Sequence, residues 1–450
     1  MLAGERFIRS LARLISRVFF SRLEVVGAHN IPAEGPFILV ANHVNSLVDP
    51  ILLLAIVPRP VRFLAAHTLW KDPFVRPFLN LARVIPVFRP RDPGADPARN
   101  LETFAKCREV LAAAGAIAIF PEGRSHDEPH VLPLKTGTAR IALETVAQHP
   151  GTAVRIVPAG LIFTAKRVFR SQALLVIGEP LDPAPESETF GADHRGAVHR
   201  LTDRITVALA SVTVNARTWD EVRLIERVTG IFGSAGQDLP YPRPLAESFE
   251  AWTAFARGRG PVEEAMPREV SETAAAVRGY DLLLEAFGLR DGQVAARYPL
   301  GKVVAYTAWT LLRLVIMLPF AAAGTVLNWV PYRLVGFIQG RLSGTPDQDA
   351  SYKVFSSVFL FPAFWLTEAT AAFGFAGRWA AAATFAAGPL TGLAAMFFQE
   401  NVADFVTEAR AYLFLRTSRR VGEELKERRA GIARKVERLV EFYKRRTGEG

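Results

Sequence analysis

Two long stretches of this chain are almost free of charge. Residues 303–330 contain one charged side chain, Arg313, and residues 354–398 contain only Glu368 and Arg378. About 20 apolar residues in a helix span the hydrocarbon core of a bilayer, so a soluble core does not account for both stretches. The second is long enough for two passes turning near residues 374–378. The first is either one long pass or a re-entrant hairpin broken at Pro319. Residues 301–400 are therefore expected to form an α-helical membrane region. The tail, 401–450, holds 13 Lys and Arg against 8 Asp and Glu. Basic charge beside a membrane exit favours the cytoplasmic side, so the tail is expected to be a basic cytoplasmic helix. If the preceding residues share that side, the crossings must be even: two full passes with a re-entrant first stretch, or four short ones, but not three.

The formal net charge is +10, and half of it lies in this tail. Such a balance suits nucleic acid, an anionic membrane or an anionic substrate. The 8 acids among the tail's 13 bases, next to an apolar block, favour the membrane, and no nucleic-acid partner is expected. Only 9 of the 54 basic residues are lysine, which fits GC-rich bacterial coding. The expected location is thus a bacterial inner membrane, multi-pass, with the remaining domain cytoplasmic. At 50% hydrophobic residues, with 33 Gly and 30 Pro in 450 positions, the chain is neither disordered nor collagen-like. Its one cysteine, Cys107, permits no internal disulfide and reads as a small buried side chain of a helix. No His, Asp or Glu group has convincing ligand spacing, so no metal is expected, and His126 and His130 read as surface residues of a polar loop.

Residues 1–21 read as a basic amphipathic helix. Phe7, Ile8, Leu11, Leu14, Ile15, Val18 and Phe19 recur at helical spacing, with Arg6, Arg9, Arg13 and Arg17 on the other face. Such a helix can lie in a membrane interface or pack on its own domain, and the later apolar block favours the interface. From residue 22, β-like runs (22–27, 37–41, 62–66, 116–120, 154–163, 173–177) alternate with helical ones (50–55, 73–82, 98–114, 137–148). That alternation predicts an α/β layered sheet with helices over 22–240. Residues 241–300 read as a helical linker with Gly/Pro breaks at 230–244 and 257–267.

Four clusters within the α/β part carry chemistry. His43 follows an apolar strand in Asn42-His43-Val44-Asn45-Ser46-Leu47-Val48-Asp49-Pro50. Imidazole titrates near neutrality and suits a general base, and Asp49 could return through a turn to fix its tautomer. Arg89 ends the extended segment Ile85-Pro86-Val87-Phe88, where a guanidinium can take a phosphate bidentately. Phe120-Pro121-Glu122-Gly123-Arg124-Ser125 runs from a strand into a turn. There Gly123 admits close approach of a ligand, Arg124 and Ser125 offer donors, and Glu122 could order an arginine or accept from a substrate hydroxyl. Leu134-Lys135-Thr136-Gly137 opens a helix whose N-terminus adds another donor site. Pro158, in Val157-Pro158-Ala159-Gly160, marks an edge strand or bulge.

In this order and spacing the clusters resemble the glycerolipid acyltransferase family, which includes glycerol-3-phosphate and 1-acylglycerol-3-phosphate acyltransferases. The resemblance covers about residues 24–179. It implies His43 as base with Asp49, Arg89 as a phosphate ligand, and the Phe120–Ser125 core and Pro158 as the third and fourth motifs. Five residues separate His43 from Asp49, one more than the common pattern. That longer gap looks like the fungal glycerol-3-phosphate/dihydroxyacetone-phosphate acyltransferase branch and its bacterial relatives, whose members also carry C-terminal membrane segments. The resemblance implies transfer of a fatty acyl group from acyl-CoA or acyl carrier protein, as co-substrate, to glycerol-3-phosphate in phospholipid biosynthesis, without a cofactor. His43 and Asp49 would be catalytic; Arg89, Glu122, Gly123, Arg124, Ser125, Lys135 and Pro158 would bind substrate. The alternatives are a lysophosphatidic acid acceptor, or a non-catalytic membrane protein that binds lipid.

Overall fold

The computed structural model describes residues 3–73, 75–89, 92, 96–166, 168–233, 244–342 and 348–447. They fall into two compact units. One comprises Met1–Trp219 with Pro244–Phe249 and Gly344–Ser351; the other comprises Asp220–Arg243, Glu250–Ser343 and Tyr352–Gly450.

The first unit is built on seven strands: β1 (Arg22–Val26), β2 (Phe37–Ala41), β3 (Val61–Ala66), β4 (Ile85–Val87), β5 (Ala116–Ile119), β6 (Arg155–Phe163) and β7 (Gln172–Ile177). Their order is β1-β7-β6-β2-β5-β3-β4. β2 pairs in parallel with β5 and β6, β5 with β3, and β3 with β4, while β6 and β7 are antiparallel. Phe37, Ile38, Leu39, Val40 and Ala41 of β2 are all buried. A strand covered on both faces has no polar side to alternate with, which is why it reads as one apolar run. Helices α1 (Ala3–Phe19), α2 (Val48–Ile56), α3 (Arg76–Leu81), α4 (Asn100–Ala112), α5 (Gly137–Gln148), α6 (Ala184–Phe190) and α7 (His194–Ser211) complete this unit. Cys107 of α4 is fully buried, and that burial pushes its thiol up to about 12, against the weaker pull of Arg108.

α1 packs within this unit. Arg9 is buried and donates to the carbonyls of Val57 and Pro58, and Arg13 donates to that of Ala55 at 3.2 Å. Those carbonyls close the C-terminal end of α2, where orphan acceptors and the helix dipole both favour a cation. The face expected to meet a membrane is therefore partly spent on α2, leaving Phe7 and Leu14 exposed. Pro158 is a second correction. β6 lies between β7 and β2, so it is no edge strand. Its paired register with β7 ends at Ala159↔Ile177, and the Pro158 carbonyl accepts from Gly178 at 2.9 Å. The missing N–H falls where that ladder stops.

The second unit is helical: it holds α8 (Trp219–Gly233) from Asp220, α9 (Leu245–Ala265) from Glu250, α10 (Pro267–Phe287), α11 (Asp291–Ala295), α12 (Leu300–Leu342), α13 (Asp349–Thr417) from Tyr352, and α14 (Arg419–Thr447). Val228, Ile231, Val277, Tyr280, Leu284, Leu425, Ile432 and Val436 share one core. Segments that read as a domain end, a linker and a tail thus pack together. The Tyr280 hydroxyl and the Arg429 Nε both donate to Asp291 Oδ1, at 2.9 and 3.0 Å. Burial, with the Asp291 charge, pushes the Tyr280 phenol above its ordinary value. The break expected at 257–267 is confined to Met266. α9 continues through Pro261, because an interior proline removes one hydrogen bond without forcing a reversal.

The same reasoning corrects the re-entrant reading of 303–330. α12 runs unbroken through Pro319 and Pro331. α13, by contrast, leaves helical geometry at Gly377, with φ 78° and ψ −170°. Trp365 Nε1 donates to Asn328 Oδ1 at 2.8 Å, and Asn328 Nδ2 donates to the Gly388 carbonyl at 3.2 Å. In an unbroken helix Trp365 and Gly388 would stand roughly 35 Å apart, so the chain reverses at Gly377, within the window 374–378. The apolar region has three helical legs where the charge argument favoured two or four crossings. Only α12 and α13 are long and apolar enough to cross a membrane, among the described residues. Small residues let the legs approach: a side chain at Gly324 would run into the Thr391 carbonyl, while at Gly336 it would meet nothing within 4 Å. Gly324→Leu is expected to cost about 1–3 kcal/mol, the usual range for overpacking, and Gly336→Leu close to nothing. Thermal unfolding of the two variants in detergent checks this.

Candidate active site

The strands β2, β5, β3 and β4 are parallel, so their C-terminal ends open on one edge of the sheet. That edge is where open α/β sheets place their sites. β2 delivers His43 there. Its Nδ1 lies 2.9 Å from Asp49 Oδ2, and Asp49 is fully buried at the start of α2. The same oxygen accepts from the N–H groups of Val44 and Asn45, both at 2.8 Å. Three donors hold the carboxylate, and its other oxygen is buried without a hydrogen-bond partner. An imidazolium forming beside it would be neutralised by that charge. Between His43 and Asp49 the chain turns with Ser46 at φ 44°. With Nδ1 committed to Asp49, Nε2 is the ring nitrogen left for chemistry. The imidazole stacks on Phe120 at 4.2 Å between centroids.

Glu122 departs from its expected role. It is 4% exposed; its Oε1 accepts from the His43 N–H at 2.9 Å, and its Oε2 from the Leu132 N–H at 3.0 Å and from His126 Nε2. A carboxylate so occupied holds the His43 backbone and has no oxygen to offer a substrate. His126 is likewise no surface residue: it is buried, its N–H donates to the His43 carbonyl at 3.1 Å, and its Nδ1 accepts from Glu128 at 3.1 Å. Both sides of the His43 peptide are therefore clamped by the Glu122–His126 pair. The i, i+4 spacing of the two was the available signal, hidden by the loop's polar composition. His130 is exposed, as expected. Two further residues escaped the sequence reading. Asn42 exchanges two hydrogen bonds with the Leu161 backbone at 2.7 and 3.0 Å, tying the end of β2 to β6. Lys166 reaches the carbonyls of Val44 and His126 at 3.0 and 3.2 Å, and Asp127 at 2.6 Å.

Gly123 adopts φ 73°, and a Cβ there would press on Lys135 Cε at 2.8 Å. The Lys135 N–H donates to the Pro121 carbonyl at 2.9 Å, so Lys135 lies alongside the turn. Lys135 and Arg124 are exposed and Ser125 is half-buried. Arg89 follows β4, three strand spacings from β2, or roughly 14 Å. Its Nε contacts both Asp92 oxygens, at 3.1 and 2.9 Å, so that guanidinium is already partly neutralised. Pro158 belongs to the sheet interior, not to the group around His43. Among the described residues, no cluster of His, Cys, Asp or Glu is arranged to hold a metal ion. The edge thus combines an oriented base with two exposed cations, an arrangement fit to deprotonate one end of an acceptor and hold an anion at the other.

Residues 22–162 match the Acyltransferase family. Glycerol-3-phosphate O-acyltransferase 2 of Saccharomyces cerevisiae is 33% identical over 196 residues, 43% of this chain and 26% of that protein. Glycerol-3-phosphate O-acyltransferase 1 of the same yeast is 26% identical over 366 residues, 60% of this chain and 47% of the relative. A 1-acyl-sn-glycerol-3-phosphate acyltransferase of Borreliella burgdorferi is 31% identical over 128 residues, 28% of this chain and 47% of the relative. The chain spans between about a quarter and a half of the length of these relatives. Residues 22–162 thus match the Acyltransferase family, in a chain whose curated relatives include glycerol-3-phosphate and 1-acylglycerol-3-phosphate acyltransferases.

Proposed function

We propose that this protein transfers a fatty acyl group from an acyl thioester to a hydroxyl of glycerol-3-phosphate, with His43 as general base. The observation that carries this reading is the His43–Asp49 contact at 2.9 Å, with the buried carboxylate fixed by two backbone N–H groups. Asp49 accepts from Nδ1–H, so the Nε2 lone pair faces the reaction. The acceptor hydroxyl loses its proton to Nε2 as its oxygen bonds to the thioester carbonyl carbon. The carbon–sulfur bond then breaks, and the imidazolium returns the proton to the thiolate. Arg124 and Lys135 hold the acceptor phosphate beside Gly123, with Ser125 as a further donor. Arg89 contributes from β4 in proportion to what its pairing with Asp92 leaves. Positioning the two substrates is worth about 7–11 kcal/mol of barrier where it is complete. α12 and α13 embed the chain in a membrane, where both the acyl chain and the product reside.

The test is an acyltransferase assay of the full chain in membranes, with a panel of acceptors and thioester donors. Glycerol-3-phosphate is expected to be acylated; acylation of lysophosphatidic acid alone would move the acceptor to the second class of relatives. Turnover of no acceptor, with lipid binding intact, would overturn the enzymatic reading. Arg124→Ala and Lys135→Ala are each expected to raise the acceptor KM by about tenfold or more, as loss of one charge-assisted bond of about 1.5–3 kcal/mol requires. Arg89→Ala should raise it less.

A further inference from the structure

The turn between His43 and Asp49 has an unusual support. It contains one non-glycine residue in the left-handed region, Ser46 with φ 44°, a conformation that side chains other than Gly adopt only when their surroundings impose it. The peptide groups flanking Ser46 meet a hydroxyl from far along the chain. The Leu47 N–H donates to Ser351 Oγ at 2.9 Å, and the same hydroxyl faces the Asn45 carbonyl at 3.5 Å. Ser351 is buried, as is its neighbour Ala350. The segment Gly344–Ser351 belongs to the first unit, although it lies well beyond the residues that match the family. Ser351 stands in the first turn of α13, directly before the apolar run.

We propose that Ser351 is a positioning residue for His43: its hydroxyl closes the lengthened turn and so fixes the register in which Asp49 meets the imidazole. This rests on the acyl-transfer reading of the site. The geometry is specific. The Asn45 carbonyl already accepts from the Val48 N–H at 3.0 Å, so the group that Ser351 serves is the Leu47 N–H, a donor that is costly to strand where water is excluded. Ser351 supplies the acceptor for it at 2.9 Å.

The test compares Ser351→Ala and Ser351→Thr in the full chain, in detergent or membranes, with His43→Ala alongside. Ser351→Ala is expected to lower kcat roughly tenfold, the factor that one hydrogen bond of positioning carries, with both substrate KM values within twofold. Ser351→Thr, which keeps the hydroxyl, should recover most of the rate. Hydrogen exchange should quicken at Val44–Val48 in the alanine variant and stay unchanged in β2. If Ser351→Ala does not accumulate, Ser351→Cys keeps the size of the side chain with a weaker donor and acceptor, and the same comparison applies. Unchanged kcat in the folded alanine variant, or loss of rate not recovered by threonine, overturns the proposal. Activity retained by His43→Ala would instead overturn the reading of the site itself.

Discussion

His43→Ala is expected to remove acyl transfer, lowering kcat by at least about 10²–10⁴-fold, the range general-base catalysis supplies. The variant should accumulate and unfold as the parent does. The imidazole is only one of three donors on Asp49 Oδ2, and the N–H groups of Val44 and Asn45 keep that carboxylate satisfied without it. The backbone of residue 43 remains clamped through its own N–H and carbonyl, which the substitution leaves in place. Loss of activity would then report the missing base and not a collapsed loop. Steady-state rates with saturating thioester and acceptor, beside a thermal melt, make the comparison. Near-normal turnover would sink the mechanism.

Glu122→Gln is expected to act differently from what its place in the motif suggests. A glutamate that received the acceptor hydroxyl would, on replacement, raise the acceptor KM and leave stability untouched. Here both oxygens are occupied by the His43 N–H, the Leu132 N–H and His126 Nε2. His126 Nδ1 accepts from the Glu128 N–H, so the ring carries its proton on Nε2 and donates. A glutamine puts an NH₂ group at one of those oxygens, and at least one buried donor then faces another. A stranded donor costs about 1–3 kcal/mol, and more where a charge was the partner. The variant should therefore be less stable by at least that amount and should lose kcat with little change in KM. A raised acceptor KM at unchanged stability would restore the substrate-binding role to Glu122.

Most of the sheet was legible because its strands are buried on both faces and its connections are short. Phe37–Ala41 and Gly137–Gln148 fall where apolar runs and helical spacing put them. β4 was not read as a strand: three residues, one of them Pro86, give no period to detect. The site was legible as a set of residues but not as a division of roles. His43 and Asp49 meet as their types suggested. Glu122 and Pro158, from the same motifs, turn inward, and His126 joins them from a loop that read as solvated. Whether a polar side chain faces a substrate or its own backbone depends on burial, and spacing carries no record of that.

The sequence alone determined the layered α/β part, the presence of an imidazole–carboxylate pair, and two helical stretches apolar enough for a bilayer. These follow from local patterns, since apolar period sets the element and side-chain type sets the available chemistry. Tertiary structure decided how the longer His–Asp gap closes, which cations remain exposed, and that α12 passes through two prolines while α13 turns at one glycine. Two of those outcomes depend on partners distant in sequence: Ser351 for the turn, and Asn328 with Gly388 for the reversal; Arg89 is paired locally, by Asp92 three residues on. No local pattern encodes which distant group will be there.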